Sequence, residues 1–247
     1  MTKRSLRPGL SADPYHRATG GTVDRRSFLV AAALGPMAAA WGSRADVAPA
    51  AASGVEVIGR SAWGARPVRD GLRRHSLERI TLHHSGVRLT DNTLGPARVR
   101  QHQQWHLSIG HPDIDYHYLI DRRGNIYQGR DARFRGDTQT EYDPTGHLLI
   151  CCEGDYQTQR PPAAMMTSVA RLMAAAADRW GLDPSTIAGH RNYSDQTACP
   201  GSRLQQIIRD DRLTERVEAL LARGDASMRT LPAAEGRARV RRIESGG

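Results

Sequence analysis

Two segments far apart in this sequence carry side chains of the same chemical kind, and any fold of the chain has to accommodate both. The apolar run Ile80–His84 ends in two adjacent histidines, and the Gly- and Pro-rich stretch 189–201 contains His190 and Cys199. Imidazole nitrogen and thiolate sulfur suit Zn²⁺, and three protein ligands leave one position for water or a substrate. Because neighbouring strand residues point to opposite faces, only one of the two adjacent histidines can join such a site.

The net charge of +9 does not mark a nucleic-acid-binding protein, because the excess of basic residues lies at the two ends of the chain. Residues 51–222 hold 22 Lys and Arg against 20 Asp and Glu, whereas residues 1–50 hold 7 against 3 and residues 223–247 hold 6 against 3. A nearly neutral central part offers no basic surface for nucleic-acid phosphates. We expect the basic ends to be solvated, with retention on an anionic surface as the alternative.

Residues 1–52 are typical of an export signal followed by a linker. Arg25 and Arg26 precede an Ala-rich apolar stretch, which resembles a twin-arginine signal. Pro36 interrupts this stretch, which is shorter than the ~20 apolar residues of a bilayer-spanning helix. We therefore expect export to the periplasm, the cell envelope or the exterior, without a stable membrane span. Cleavage after Ala50 or Ala52 fits the small residues there, and an uncleaved signal is the alternative.

Apolar periodicity and turn residues predict alternating strands and helices. The runs Ile80–His84 and His147–Cys152 are too short for helices and indicate buried strands, whereas residues 162–180 show helical spacing that stops at Gly181. Such interleaving is typical of a single α/β domain, residues 55–222, with a mixed central β-sheet flanked by helices. The other predicted elements are a hairpin of Tyr116–Asp121 and Asn125–Gln128, a strand at Thr186–Gly189, and helices at Pro96–Ile109, Ser202–Ile208 and Leu213–Leu221.

Both ends of this domain are predicted to be irregular. Residues 60–67 have the composition of a surface loop that leads into the fold. Residues 223–247 combine Gly, Ala, Arg and Pro with little apolar periodicity, so they cannot bury enough surface to offset their ordering entropy. We expect a disordered basic tail there.

The three cysteines do not indicate a disulfide framework, because Cys151 and Cys152 are adjacent and Cys199 makes the count odd. Cys151 and Cys152 belong to an apolar run and are predicted to be buried packing residues. Glu153 follows them at the end of the strand, where a solvated carboxylate is expected, with an approach of its side chain to the site as the alternative.

Several segments, in one collinear order, resemble the motifs of a known family. They are Arg60–Arg66, His83-His84-Ser85, Asp115-Tyr116-His117-Tyr118 with the following Gly124 and Gly129-Arg130, Gly189-His190-Arg191, and Thr197-Ala198-Cys199-Pro200-Gly201. Together they resemble the zinc-dependent N-acetylmuramoyl-L-alanine amidase and peptidoglycan recognition protein family over about residues 56–210. A single short motif matched by chance would not produce this order.

The resemblance implies that family's fold and hydrolysis of the amide bond between N-acetylmuramic acid and L-alanine, with Zn²⁺ as cofactor. It implies His83, His190 and Cys199 as the zinc ligands, because His83 matches the first histidine of the family's pair. Tyr116 matches the active-site tyrosine, and Thr197 takes a second catalytic position where relatives carry lysine or threonine. The implied partner is peptidoglycan or a muropeptide, and we expect a monomer.

Arg130, in the Gly129-Arg130 motif, is the substrate-binding candidate that the resemblance implies. His106 is a further candidate for lining a saccharide or peptide groove, and His84 is expected to be a structural or groove residue. Residues 131–138 depart from the animal recognition proteins, and Cys151 stands where cytoplasmic recycling amidases carry a carboxylate. Two other functions are considered. One is a peptidoglycan-binding or sensing module without catalysis, although relatives of that kind lose the cysteine that is present here. The other is a structural metal site, which would need a fourth ligand such as His84 or His102.

Overall fold

The computed structural model describes residues 54–247, so the predictions of an export signal, a linker and a cleavage site lie outside the described residues. The strands are β1 (Val55–Ile58), β2 (Arg79–His84), β3 (Tyr118–Ile120), β4 (Ile126–Gln128), β5 (His147–Cys152), β6 (Ala188–Gly189) and β7 (Met228–Thr230). The helices are α1 (Arg60–Trp63), α2 (Gly95–Ser108), α3 (Ala163–Trp180), α4 (Ser202–Arg209), α5 (Arg212–Ala222) and α6 (Ala233–Glu244). No helix in this part of the chain is long and apolar enough to cross a membrane.

One mixed sheet joins the seven strands in the order β6-β2-β5-β3-β4-β1-β7. Its parallel central pair, β2 and β5, runs from Arg79 opposite His147 to His84 opposite Cys152. β5 is buried along its whole length, which explains why its sequence is a continuous apolar run. β3 and β4 form the predicted antiparallel hairpin. The predicted mixed α/β architecture is confirmed.

The long helix α3 covers one face of the sheet. Its buried side chains include Val169, Leu172 and Met173, and they belong to the same cluster as Ile80, Leu82 and Ile150 of the central strands. The three- and four-residue spacing of the apolar positions in α3 therefore marks the side that packs on the sheet. Helix α5 packs against α3 and closes this layer with Leu213, Val217 and Leu220.

A second, smaller cluster lies on the other face of the sheet. It is built by Trp63 of α1, Val99 of α2 and Val240 of α6 together with residues of β1, β3 and β4. The cluster includes Cys151 of β5 but no residue of β2 or β6. The candidate metal ligands His83 and His190 lie at the end of the β2 and β6 part of the sheet, and both are buried.

The C-terminal segment is folded, so the expectation of a disordered tail is wrong. β7 pairs in parallel with β1, and α6 buries Val240 and Ile243 in the Trp63 cluster. A Cβ at Gly236 would lie 2.7 Å from the Cβ of Ala62, so glycine allows α6 to approach α1 closely. The segment has too few apolar residues to form a core of its own. It is ordered because β7 adds to the edge of the sheet at β1 and α6 packs on a core formed by the rest of the domain.

The segment predicted as an entry loop is also part of the core. Residues 60–63 form the helical turn α1, and Trp63 is 0% exposed with its indole N–H donating to the carbonyl of Gln128 at 2.9 Å. Arg60 donates to the carbonyl of Gly129 at 2.7 Å and pairs with Asp113 at 2.8 Å. These contacts fasten the start of the domain to the hairpin and to the loop after α2, so the surface-loop prediction is wrong for residues 60–63.

Candidate metal centre

The parallel sheet brings the two ligand segments together. Gly189 of β6 pairs with Leu82 of β2. The residues that follow this pair in the two segments, His190 and His83, therefore lie side by side. The backbone N–H of Arg191 donates to the carbonyl of Cys199 at 2.8 Å, and the Arg191 side chain donates to the carbonyl of Ala198 at 2.6 Å. The loop between His190 and Cys199 is thereby closed, and its two ends meet His83.

Two glycines of the motif are required by close backbone approach. Gly201 has a φ of +89°, and a Cβ there would lie 2.4 Å from the carbonyl carbon of Tyr156. A Cβ at Gly189 would lie 2.2 Å from the side-chain oxygen of Gln205 and 2.6 Å from the ring of Pro200. Both residues flank the ligand segment. The Gly and Pro residues that mark this segment in the sequence are therefore required by its close packing.

His83, His190 and Cys199 are buried, and one ligand atom of each lies within 4.8 Å of the others. The Nδ1 of His83 is 3.6 Å from the Sγ of Cys199, and the two histidine rings are 4.7 Å apart. Zn–N bonds of about 2.0–2.1 Å and Zn–S bonds of about 2.3 Å at a tetrahedral angle place nitrogen and sulfur about 3.6 Å apart. The donor set and this spacing therefore fit zinc.

His83 is in the protonation state that a metal ligand needs, whereas the Cys199 thiol would have to lose its proton. Burial, with the neighbouring His190, holds the pKa of His83 well below its usual value, so its imidazole is neutral at pH 7. Burial raises the pKa of the Cys199 thiol to about 12, against the opposing effect of the hydrogen bond from the His84 backbone. A metal would have to displace the thiol proton, as in other thiolate sites, which couples binding to proton release.

His84 points away from this group, as the strand alternation predicts. Its Nδ1 accepts a hydrogen bond from the backbone N–H of Tyr156 at 3.1 Å, while its backbone N–H donates to the Sγ of Cys199 at 3.3 Å. The side chain is buried at the end of β2. Its position favours a structural role, and it does not favour the expected substrate contact or a fourth metal ligand.

Tyr116 lies beside the candidate ligands, with its ring 5.4 Å from that of His83 and 5.7 Å from that of His106. Burial raises the pKa of Tyr116 well above 10, so its hydroxyl stays protonated. Tyr116 is thus placed as a neutral hydrogen-bond donor next to the group and not as a base.

Thr197 lies two residues before Cys199, on the same loop. Its Oγ1 accepts a hydrogen bond from the backbone N–H of Cys199 at 3.1 Å, and the residue is half-buried. This bond fixes the turn that presents the thiol. Because the hydroxyl oxygen acts as the acceptor, its proton is the part of Thr197 that can be directed at a ligand.

Arg130 and His106 are both enclosed, which does not favour the substrate contacts expected of them. Arg130 is 2% exposed and pairs with Asp137 at 2.6 Å and with Asp115 at 3.4 Å. His106 also pairs with Asp115, at 3.1 Å.

His111, Asp115 and Asp137 lie close enough together to hold a metal, but the Arg130 guanidinium already bridges the two carboxylates. This second group is therefore a buried ion-pair network.

Two features near the ligands were not predicted from the sequence. Glu153 is fully buried, and its carboxylate lies 3.1 Å from the Nε2 of His102, so the prediction of a solvated side chain is wrong. Tyr142 has its ring 5.1 Å from that of His190, and its hydroxyl oxygen is buried without a hydrogen-bond partner among the described residues. Each contact joins residues that are far apart in the chain, so no local pattern could reveal it.

Comparisons with known proteins agree with the architecture and the order of these motifs. Residues 73–202 match the family model of N-acetylmuramoyl-L-alanine amidase. Peptidoglycan-recognition protein SC1a of Drosophila melanogaster is 31% identical over 162 residues, which span 64% of this chain and 86% of that protein. An N-acetylmuramoyl-L-alanine amidase of Sus scrofa is 30% identical over 158 residues, which span 61% of this chain and 26% of that protein.

Solved structures show the same fold. Drosophila PGRP-LB superposes with a TM-score of 0.55 at 29% identity, covering 62% of this chain and 91% of that one. A mutant of the same protein in complex with tracheal cytotoxin matches with a TM-score of 0.55 at 28% identity, over 62% of this chain and 92% of that one. The chain therefore belongs to the N-acetylmuramoyl-L-alanine amidase family, and its fold is that of the peptidoglycan recognition proteins.

Proposed function

We propose that this protein is an exported, zinc-dependent amidase that hydrolyses the bond between N-acetylmuramic acid and L-alanine in peptidoglycan or its fragments. The observation that carries the proposal is the buried group of His83, His190 and Cys199, in which His83 Nδ1 and Cys199 Sγ lie 3.6 Å apart. Such a group provides three ligands and leaves a fourth position open, which is the arrangement of catalytic and not of structural zinc. The family to which the chain belongs gives the substrate.

The roles of the side chains follow from their positions. A zinc ion held by the three residues would polarise the amide carbonyl and lower the pKa of a bound water toward ~7. Tyr116, whose raised pKa keeps it protonated, is placed to donate a hydrogen bond to the negative charge that develops on the carbonyl oxygen. Thr197 can donate its hydroxyl proton to the same region, while its oxygen holds the loop of Cys199.

Neither Tyr116 nor Thr197 can act as a free base at neutral pH, because both hydroxyls are protonated there. We assign both of them to charge stabilisation. Their surroundings support this: the Tyr116 ring is enclosed by His83 and His106, and hydrogen bonds in an enclosed site are stronger than in water.

Recognition of peptidoglycan without hydrolysis is the second candidate, favoured by the names of the relatives SC1a and PGRP-LB. The two candidates differ in their need for a metal centre. A recognition module has no need of a buried cysteine ligand, so the presence of Cys199 supports the enzyme.

Digestion of purified peptidoglycan by the zinc-loaded protein, followed by mass spectrometry, tests this function. The expected products are stem peptides with a free L-alanine amine and glycan strands without peptides. Intact muropeptides after treatment with a folded, zinc-loaded protein would contradict it.

Two buried cysteines provide a matched pair of variants for the same assay. Cys199→Ser is expected to abolish product formation while the protein still sediments with peptidoglycan. Cys152→Ser also replaces a buried thiol but lies in the sheet–helix core, and it is expected to retain activity. Equal activity of Cys199→Ser and the wild type would remove Cys199 from the metal site.

A further inference from the structure

The segment 138–142, which we call the strap, crosses the candidate metal centre between β4 and β5. It contains no residue that the family motifs single out. The Oγ1 of Thr140 lies 2.8 Å from the Nε2 of His190, which is a strong hydrogen bond to a candidate ligand. The strap therefore touches the metal centre from outside the ligand set.

This hydrogen bond decides which nitrogen of His190 can bind a metal. A neutral imidazole has one N–H donor and one acceptor nitrogen, and the group bonded to one nitrogen selects the tautomer. If Nε2 donates to Thr140, the lone pair lies on Nδ1, and a metal would be bound through Nδ1. The Thr140 hydroxyl can then donate onward to the Oγ1 of Thr138, which lies 3.2 Å away.

His83, the other candidate histidine ligand, has no comparable hydrogen bond. Its Nε2 is buried and has no hydrogen-bond partner among residues 54–247. The orientation of His83 is instead set by its place in the central strand β2. His190 follows the two-residue strand β6 and begins a short 3-10 helix, so its backbone gives less support. A hydrogen bond to the ring therefore has most to contribute to the orientation of His190.

Hydrogen bonds hold the strap at two points, one on each side of Thr140. On one side, Gln139 donates to the carboxylate of Asp115, the residue before Tyr116, at 2.8 Å. On the other side, the Ser194 hydroxyl lies 2.9 and 2.8 Å from the two carboxylate oxygens of Glu141. Thr140 is thus held between two anchors, which fixes its oxygen opposite His190.

We propose that Thr140 is a positioning residue that holds His190 in the tautomer and orientation needed to bind the metal, and that the strap serves to place it. The proposal rests on the zinc site of the proposed function. It makes Thr140 important for metal affinity, without any contact between Thr140 and the substrate. Partners of this kind at metal-bound histidines change metal affinity by about 10- to 100-fold when removed.

The test measures zinc affinity by competition with a chromophoric chelator, for the wild type and three variants. Thr140→Val keeps the shape and removes the hydroxyl, and it is expected to weaken zinc binding at least about 10-fold. Thr140→Ser restores the hydroxyl and is expected to bind zinc within a few-fold of the wild type. Thr145→Val is the control, because the Thr145 hydroxyl bonds only Asp143 within the same loop. Thermal melting of the metal-free proteins checks that all variants fold.

The outcomes separate this inference from the proposed function. Zinc affinity of Thr140→Val equal to that of the wild type would overturn the role of Thr140 and leave the amidase proposal standing. A wild type that binds zinc, loses affinity on Thr140→Val and releases no stem peptides would leave the role of Thr140 standing and end the amidase proposal. A wild type that binds no zinc would overturn both, and an equal loss in Thr140→Val and Thr140→Ser would overturn the hydroxyl argument.

Discussion

Replacement of Ile243 by alanine tests whether the C-terminal helix α6 belongs to the domain core. Ile243 is 4% exposed and packs in the cluster of Trp63, Leu231 and Val240. Loss of a buried isoleucine side chain with partial collapse of the cavity costs about 2–5 kcal/mol. A domain of this size has a free energy of unfolding of about 5–15 kcal/mol, so the change is a large fraction of the total.

Urea unfolding followed by circular dichroism measures this effect as a shift of the transition midpoint. Arg241→Ala is the matched control, because this residue lies on the exposed side of the same helix. It is expected to change the free energy of unfolding by less than about 0.5 kcal/mol. If Ile243→Ala were as mild as Arg241→Ala, α6 would not pack on the domain as described, and the tail would be the disordered segment that the composition suggests.

Three further predictions follow from buried polar groups and close contacts. Burial holds the pKa of His117 at about 3 and that of His106 at about 4. Below pH ~6.5 these histidines are protonated in the unfolded chain but not in the folded protein. Each of them therefore lowers the free energy of unfolding by about 1.4 kcal/mol for every pH unit between ~6.5 and its folded pKa. Urea titrations at pH 7 and pH 5 measure this loss, and equal stabilities at the two pH values would contradict it. Arg130→Gln removes the buried guanidinium that bridges the carboxylates of Asp115 and Asp137 and should cost about 3–5 kcal/mol, seen as a lower melting temperature than that of the exposed control Arg133→Gln. Gly201→Ala should cost at least about 1–3 kcal/mol because of its positive φ, and an unchanged melting temperature would refute the close approach to Tyr156.

The central elements of the fold follow from short-range sequence patterns. β5 occupies the predicted residues His147–Cys152, because a strand buried on both faces needs a continuous apolar run. α3 was predicted as Pro162–Trp180 and begins one residue later, at Ala163. In both elements the apolar pattern lies within the residues of the element itself. The sequence alone is therefore sufficient to predict their type and position.

The edges of the sheet depend on long-range contacts and could not be predicted in this way. β7 and α6 are stabilised by β1 and by Trp63, which lie far away in the chain. The surroundings of the site show the same limit. Glu153 is buried because His102, 51 residues earlier, provides its partner, and the sequence around Glu153 gives no sign of it.

The candidate ligands themselves were accessible from the sequence, because their motif residues are specific. The spacing of His190 and Cys199 reflects a loop that closes on itself, and the glycines beside them reflect close packing. The choice of His83 over His84 needed the resemblance to the family, and the alternation along β2 agrees with it. The hydrogen bond between Thr140 and His190 lies outside every motif and needed the three-dimensional structure.

Titration of the metal-free protein with Zn²⁺, with the appearance of free L-alanine amines on peptidoglycan stem peptides as the readout, tests whether the protein is a zinc amidase. We expect the rate to rise in proportion to added zinc, to reach its plateau at about one zinc per chain, and to stay at background in Cys199→Ser. Product release by the metal-free wild type, or full activity of Cys199→Ser, would contradict it.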